Sequence, residues 1–418
     1  MKTVVVSHPS GIVNGIVNLP ASKSIANRLL LMKAVAAFND LEILNLSNAR
    51  DTVVLNRILT NLSKSNTADV HDAGTVMRFL TAYLSCLEGE WILTGAERMQ
   101  QRPVGALVDV LKKLGAEISY EKKEGYPPLK IKGKKLRGGK VEIDGSVSSQ
   151  FLSALLMIAP LYKEPLQLQI KNNPVSVPYV EMTLKLMQEW GAEYEWKENT
   201  ITVNNKAYTK PTGKVFVESD WSAASYFYSI LSLAKKGEII MPHLFENSLQ
   251  GDSICKELFT SLGISSIFTK EGLVLKKTNH TKKTFAYNFI KCPDIAQTLA
   301  VCCVAKGIEA SLTGLQTLSI KETDRVAAIK NELDKFGIKV SVIDDSISFP
   351  PSSFVPRSLS LTSRPLSFAT YNDHRMAMSF APLALLGEIG IENPSVVEKS
   401  FPHFWDELKK VGFEIKEL

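Results

Sequence analysis

The chain has 418 residues, 45% of them hydrophobic and 22% charged, an ordinary globular composition with enough apolar material for more than one core. Its longest apolar runs are broken by Ser, Lys, Arg or Glu well short of the roughly 20 residues needed to cross a bilayer, so no membrane span is expected. A net charge of +6 without a concentrated basic stripe argues against nucleic acid, and six scattered histidines without ligand spacing argue against a metal.

The opening KTVVV holds too few consecutive apolar residues for the core of a secretory leader and reads as a first strand. Cys86, Cys255, Cys292, Cys302 and Cys303 are odd in number, lack CxxC spacing and lie mostly in apolar stretches. Buried thiols in a reducing cytoplasm fit that pattern.

In PASKSIANRLLL, Pro20 stops the preceding strand, Ser22 can cap, and Lys23, Ser24 and Arg28 fall in or just beyond the first helical turn. A lysine there opposes the helix dipole, so an anion in front of it is the expected compensator. DAGTVMRFL places Gly74, which lets a ligand approach the backbone, beside Thr75 at the mouth of an apolar helix. ERMQQRPVG sets Arg98 and Arg102 in a loop held by Pro103, suited to forked contacts with carboxylate or phosphate. DGSVSSQFLSALLM brings Ser148, Ser149 and Gln150 to the start of another buried helix, and VSVPYVEMTL adds Ser176 and Tyr179.

Further along, Asp294 in KCPDIAQTLAV sits between Pro293 and an all-apolar helix, where it can cap or act as a shielded acid or base. KETDRVAAIK places Lys321 and Arg325 four apart on one helix face, with Glu322 three before Arg325. YNDHRMAM offers Asn372 or Asp373 as cap for a helix carrying His374 and Arg375, and VEKSFPHFW puts Lys399 beside a helix start at Phe401-Pro402. Each motif alone has a plain reading as a capped turn, a solvated cation or a salt-bridged helix surface. Capping alone does not explain so many cations beside buried helices, and free N–H groups with cations suit multiply anionic substrates.

A repeat underlies these motifs. An amphipathic helix, a glycine and an alternating strand recur as VLKKLGAEISY, KLMQEWGAEYEW, ELFTSLGISSIF, ELDKFGIKVSVI and ELKKVGFEIKE, spaced by roughly 75 residues. Between them lie helices apolar all round, RLLLMKAVAA, FLSALLMIAPL, AASYFYSILSLA and IAQTLAVCCVA, which must be buried. Alternation of inner and outer helices with strands implies about six βαβαββ units, three in each of two domains. Hinges near Leu19-Pro20 and near Glu218 give lobes of 21–218 and of 1–20 with 219–418.

The ordered set LPASKSIANR, DGSVSSQF, KETDR and YNDHRMAM resembles the enolpyruvyl transferase family, in its 5-enolpyruvylshikimate-3-phosphate synthase branch, over essentially the whole chain. The resemblance implies an α/β fold of two similar domains, each of three βαβαββ units with inner helices and outer sheets, closing over substrate. It implies a cytoplasmic, monomeric enzyme of aromatic amino acid biosynthesis that needs neither cofactor nor metal. Shikimate 3-phosphate would be held by Ser24, Arg28, Ser148, Ser149, Ser176 and Tyr179, with Asp294 and Lys321 at its hydroxyls. Phosphoenolpyruvate would meet Lys23, Gly74, Arg102, Gln150, Arg325, His374, Arg375 and Lys399. Catalysis would fall to Asp294 as acceptor of the hydroxyl proton and to Glu322 as acid, then base, with Lys23 assisting. Together the two substrates carry roughly −5 to −6, which calls for several cations.

Three positions depart from the family pattern: Asp72 stands where Asn is usual, Phe79 where proline is usual, and Thr317 where Asn often stands. Asp72 brings a carboxylate near an expected anion and should weaken phosphoenolpyruvate binding unless a cation pairs with it. The nearest rival reading, a UDP-N-acetylglucosamine enolpyruvyl transferase with the same fold and reaction type, would carry a loop cysteine that is missing between Glu97 and Pro103.

Overall fold

The computed structural model describes residues 2–172, 174–319, 321–335, 337–351 and 365–418. Its elements follow one repeating recipe. A strand leads into a buried helix, a second strand runs parallel to the first, an amphipathic helix follows, and a β-hairpin closes the sheet. Among the described residues there are five four-stranded sheets, three built this way throughout and two completed by strands from the start of the chain.

The chain divides into two units, residues 21–217 and residues 1–20 with 218–418. Within 21–217, Thr67–Asp69 pairs parallel with Gly89–Thr94, which pairs antiparallel with Leu129–Gly133, itself antiparallel to Glu117–Tyr120. The strand Leu129–Gly133 alternates buried and exposed residues, so one face meets the helices and the other meets water. Gly133 allows the strand to pass under the preceding turn, since a Cβ there would lie 1.7 Å from the Leu87 carbonyl oxygen. A second sheet repeats the pattern with Gly139–Asp144, Leu166–Lys171, Thr200–Val203 and Tyr194–Lys197. The sixth sheet is reduced to two parallel strands, Ile43–Leu44 and Val215–Phe216, where a full unit was expected.

In the other unit the chain's beginning is recruited twice. Thr3–Ser7 lies between Ile389–Glu392 and Glu414–Glu417, and Ile12–Ile16 runs parallel to Lys236–Met241. Glu218 belongs to this unit rather than ending the lobe before it. Its carboxylate accepts bonds from Trp221, Phe245, Ser248 and Gln250, all of the same unit.

The two helix classes separate as their patterns require. Gly105–Lys113 buries only Leu107, Val108, Val110 and Leu111, each contributing about 1.5–3 kcal/mol if fully transferred from water. Gly74–Cys86 and Trp221–Leu233 are instead buried on nearly every side. Such helices tolerate hydroxyls because these bond back to the preceding turn, as Thr81 does to Met77 O and Ser85 to Thr81 O. Lys23–Val35, Gly74–Cys86 and Ser149–Met157 pack on one another in the first unit, and Trp221–Leu233, Ala296–Ala305 and His374–Phe380 do so in the second.

Gly115, Gly191, Gly263, Gly337 and Gly412, the glycines of the repeat, all have φ between 71° and 102°, the left-handed conformation that ends a helix and releases the chain into a strand. Phe336, within the fourth copy, lies outside the described residues. Four of the five cysteines are buried, Cys86 is half-buried, and all are free thiols. Among the described residues no helix is long and apolar enough to cross a membrane, and no group of three or more His, Cys, Asp or Glu is placed to hold a metal.

Candidate active site

The inner helices bring the sequence motifs to their starts, where four backbone N–H groups lack helical partners. Each unit carries one cluster, and the two differ in what holds their cations.

In residues 21–217, Ser22 caps the helix Lys23–Val35 by accepting from Ile25 N. Lys23 points to Asp51, its Nζ 3.3 Å from Oδ2, so the anion expected in front of Lys23 is supplied here by the protein itself. One turn on, Arg28 is almost fully buried and donates to Thr183 Oγ1 (2.7 Å), Ser24 O (2.8 Å), Ser153 Oγ (3.1 Å) and Tyr179 O (3.2 Å). Its guanidinium also lies over the rings of Phe79 and Tyr179, so Phe79 acts as a floor for the cation. Burial pushes the Arg28 pKa down to about 10, because only neutral oxygens and ring faces surround the charge.

Gly74 opens the helix Gly74–Cys86. A Cβ there would lie 2.4 Å from Arg102 Nη1 and 2.9 Å from Arg78 Nη1, so glycine is what lets two guanidiniums converge on the helix start. Arg78 is buried and donates to Gly74 O (2.9 Å) and Pro103 O (3.3 Å). Burial first, and then the charge of Arg102, pushes the Arg78 pKa down to about 9. Arg98, by contrast, lies on the one-turn helix Glu97–Gln100 rather than in a loop, and is exposed. Ser148 caps the helix Ser149–Met157, Ser149 is buried, and Gln150 Nε2 donates to Thr75 Oγ1 at 3.2 Å. Ser176 stands at the start of Val177–Glu189 in a left-handed conformation, φ 54°, with no capping bond from its hydroxyl. Asp72 Oδ1 lies 3.6 Å from Arg50 Nε, so the carboxylate that departs from the family pattern has a cation beside it.

The second cluster is a closed network of charges. Arg325, 1% exposed, donates to Asp373 Oδ2 (2.7 Å), Glu322 Oε2 (2.9 Å) and Asp294 Oδ1 (3.1 Å). Burial is the strongest single influence on its pKa and would lower it, but Asp373, Glu322 and Asp294 outweigh that effect and raise it. Lys321 Nζ lies 3.6 Å from Asp294 Oδ1, and Arg375 Nη2 lies 3.2 Å from its Oδ2. Lys399 Nζ donates to Glu322 Oε1 at 2.7 Å. Glu322 is therefore gripped from both sides. Burial alone would raise its pKa, yet Arg325 and Lys399 hold the carboxyl well below the usual carboxylate range. His374 is held well below the usual imidazole range by burial and then by Arg375, so the ring is neutral.

Local structure here differs from the sequence expectation in three ways. Lys321 and Glu322 are not on a helix face: Asp324 accepts from Ala327 N at 3.0 Å and starts the helix at Arg325, leaving both in the preceding bend. Asp294 is not a cap, because it lies in the 3-10 turn Pro293–Ile295 with its carboxylate turned to the cations. Lys399 closes a 3-10 turn, and the following helix starts at Phe404.

Several participants were not foreseen. Asp51, Ser153 and Thr183 anchor the first cluster, and Asp373, Tyr226 and Ser222 the second. Asp373 was read only as a possible cap. It does cap, accepting from Arg375 N at 2.8 Å, while the same carboxylate grips Arg325.

Cations at helix starts, and carboxylates held among cations, are the equipment of a group-transferring enzyme that handles acidic metabolites and moves protons. Comparison with known proteins gives that class its family. The family model for EPSP synthase (3-phosphoshikimate 1-carboxyvinyltransferase) matches residues 63–408. The chain is 44% identical to 3-phosphoshikimate 1-carboxyvinyltransferase of Bacteroides fragilis over 402 residues, 96% of each chain. It is 36% identical to that of Aliivibrio salmonicida, covering 97% of this chain and 98% of the other. Its fold matches the crystal structure of EPSP synthase from Acinetobacter baumannii with a TM-score of 0.80 across the full length of both, at 19% identity. The chain belongs to the EPSP synthase family, transferases of the shikimate pathway.

Proposed function

We propose that this chain uses the two clusters to carry out its family's reaction, the transfer of the carboxyvinyl group of phosphoenolpyruvate to the 5-hydroxyl of shikimate 3-phosphate with release of phosphate. The observation that carries this reading is the grip on Glu322, 2.7 Å from Lys399 and 2.9 Å from an Arg325 that also reaches Asp294. Two carboxylates on one guanidinium supply the acceptor for the hydroxyl proton and the acid, then base, at C3 that an addition followed by an elimination requires.

In the addition, Asp294 takes the proton of the 5-hydroxyl as its oxygen attacks C2 of phosphoenolpyruvate and C3 gains a proton from Glu322. In the elimination, Glu322 recovers a proton from C3 as phosphate leaves C2 and the double bond re-forms. Glu322 must hold a proton at the outset, although Arg325 and Lys399 keep it ionised without substrate. A substrate anion that competes for those two cations weakens their hold and raises the Glu322 pKa toward that of a donor. Lys23 assists as a cation, already held by Asp51.

Binding falls to the remaining groups. Ser24, Arg28, Ser148, Ser149, Ser176 and Tyr179 take shikimate 3-phosphate, with Asp294 and Lys321 at its hydroxyls. Gly74, Arg102, Gln150, Arg325, His374, Arg375 and Lys399, with Lys23, take phosphoenolpyruvate. The convergence of Arg78 and Arg102 on the start of Gly74–Cys86 supports an anion site there. The enzyme is read as a cytoplasmic monomer without metal, organic cofactor or nucleic-acid partner, and its free thiols agree with a reducing compartment.

The test is phosphate release from the purified chain. Release is expected with shikimate 3-phosphate and phosphoenolpyruvate together and with neither alone. Release with UDP-N-acetylglucosamine as acceptor, and none with shikimate 3-phosphate, would overturn the reading.

A further inference from the structure

Beside the second cluster lies a carboxylate to which no role has been given. Asp252, in the 3-10 turn Gly251–Ile254, is buried, 6% exposed, and among the described residues has no cation within ion-pair distance. Its Oδ2 accepts the hydroxyl proton of Ser222, in the first turn of Trp221–Leu233. A serine hydroxyl has one proton. With that proton directed at Asp252, Ser222 Oγ can only accept on its other side, and there Arg375 Nη2 lies 3.5 Å away. The same Nη2 is 3.2 Å from Asp294 Oδ2, while Nη1 donates to Asp294 O at 3.1 Å and to the Tyr226 hydroxyl oxygen at 3.4 Å.

A carboxylate taken out of water without a cation of its own is costly. Burial, and then the charge of Asp294, pushes the Asp252 pKa up to about 7, while the charge of Arg375 and the Ser222 hydroxyl favour the ionised form that accepts from the serine. In its ionised form Asp252 gives one hydroxyl its direction. Without Asp252, Ser222 could turn its proton toward the guanidinium and repel it.

We propose that Asp252 is a positioning residue: by accepting a hydrogen bond from the Ser222 hydroxyl it turns a serine lone pair toward Arg375 and holds that guanidinium against Asp294, ready for the substrate anion. The proposal rests on the reading of Arg375 as a phosphoenolpyruvate ligand and deepens it.

Steady-state kinetics on Ser222→Ala, Asp252→Ala and the double variant test it. Each single change is expected to raise KM for phosphoenolpyruvate roughly tenfold, with KM for shikimate 3-phosphate within about twofold. The double variant should be no worse than the more affected single, because the two residues act as one chain. Ser222→Thr keeps the hydroxyl and should retain the wild-type value. Unchanged phosphoenolpyruvate KM in the single variants, or losses that multiply in the double, would overturn the proposal. Should Asp252→Ala fail to fold, Ser222→Ala decides by the same reading. A wild-type chain that turns over both substrates while the single variants keep their KM sinks the positioning role alone. A wild-type chain without turnover sinks the functional reading and this proposal with it.

Discussion

Arg28 and Arg325 are both guanidiniums near the start of a helix, each no more than 2% exposed, yet their surroundings are opposite. Arg28 is held by two hydroxyls, two carbonyl oxygens and two aromatic faces, and its pKa is pushed down. Arg325 is held by three carboxylates, and its pKa is raised. Neutral ligands fix a guanidinium without cancelling its charge, which leaves it to attract an anion. Carboxylate ligands cancel much of the charge, and the cations in turn hold Glu322 well below the usual carboxylate range.

The sharpest way to break this contrast is to remove each arginine. Arg325→Met takes the guanidinium from the fully buried Asp373 and leaves Glu322 to Lys399 and Asp294 to Lys321 and Arg375, and should cost about 3–5 kcal/mol in stability by chemical denaturation. Arg28→Met strands only neutral groups and should cost about 1–3 kcal/mol. Equal losses would mean that the two sites do not differ as described.

Next in size is Gly74→Ala, which drives a Cβ into Arg102 and Arg78. The end of Arg102 can shift, so the fold should persist while KM for phosphoenolpyruvate rises about tenfold. An unchanged KM would show that the two converging guanidiniums do not serve that substrate.

Acid should act on the second cluster, and more gently. The His374 pKa is depressed, so the unfolded chain binds its proton first and stability falls as pH drops below the ordinary 6.5. The Glu322 pKa is also depressed, so its contribution is complete above the ordinary 4.5 and is lost as pH falls through the lower folded value. Melting temperature against pH should therefore decline in two stages, and Glu322→Gln should flatten the lower one. The smallest effect is expected at Asp72. Since Arg50 stands beside it, Asp72→Asn should change phosphoenolpyruvate KM by no more than about twofold, and a large gain in affinity would mean the pair leaves the carboxylate uncompensated.

The repeat was legible because it is local: each terminating glycine follows its own helix, and all five adopt the conformation their position demands. The helix starts were legible for the same reason. What escaped was whatever depends on distant partners. Thr183 meets Arg28 across 155 residues, and Ser222 meets Arg375 across 153. Neither residue stands out in its own stretch. The spacing in KETDR misled because Asp324 caps the helix one residue before Arg325, so Lys321 and Glu322 reach their partners from a bend. The short sixth sheet escaped as well, since a two-residue strand such as Ile43–Leu44 carries almost no periodic signal.

The division of labour between the two arginine environments is tested most directly on Glu322→Gln, by measuring phosphoenolpyruvate binding by calorimetry in the presence of shikimate 3-phosphate alongside phosphate release. Binding within a few-fold of wild type, with turnover reduced about 10²–10⁴-fold, is expected of a proton-transfer group. Turnover of bound substrate at the wild-type rate, with only binding weakened, would contradict it.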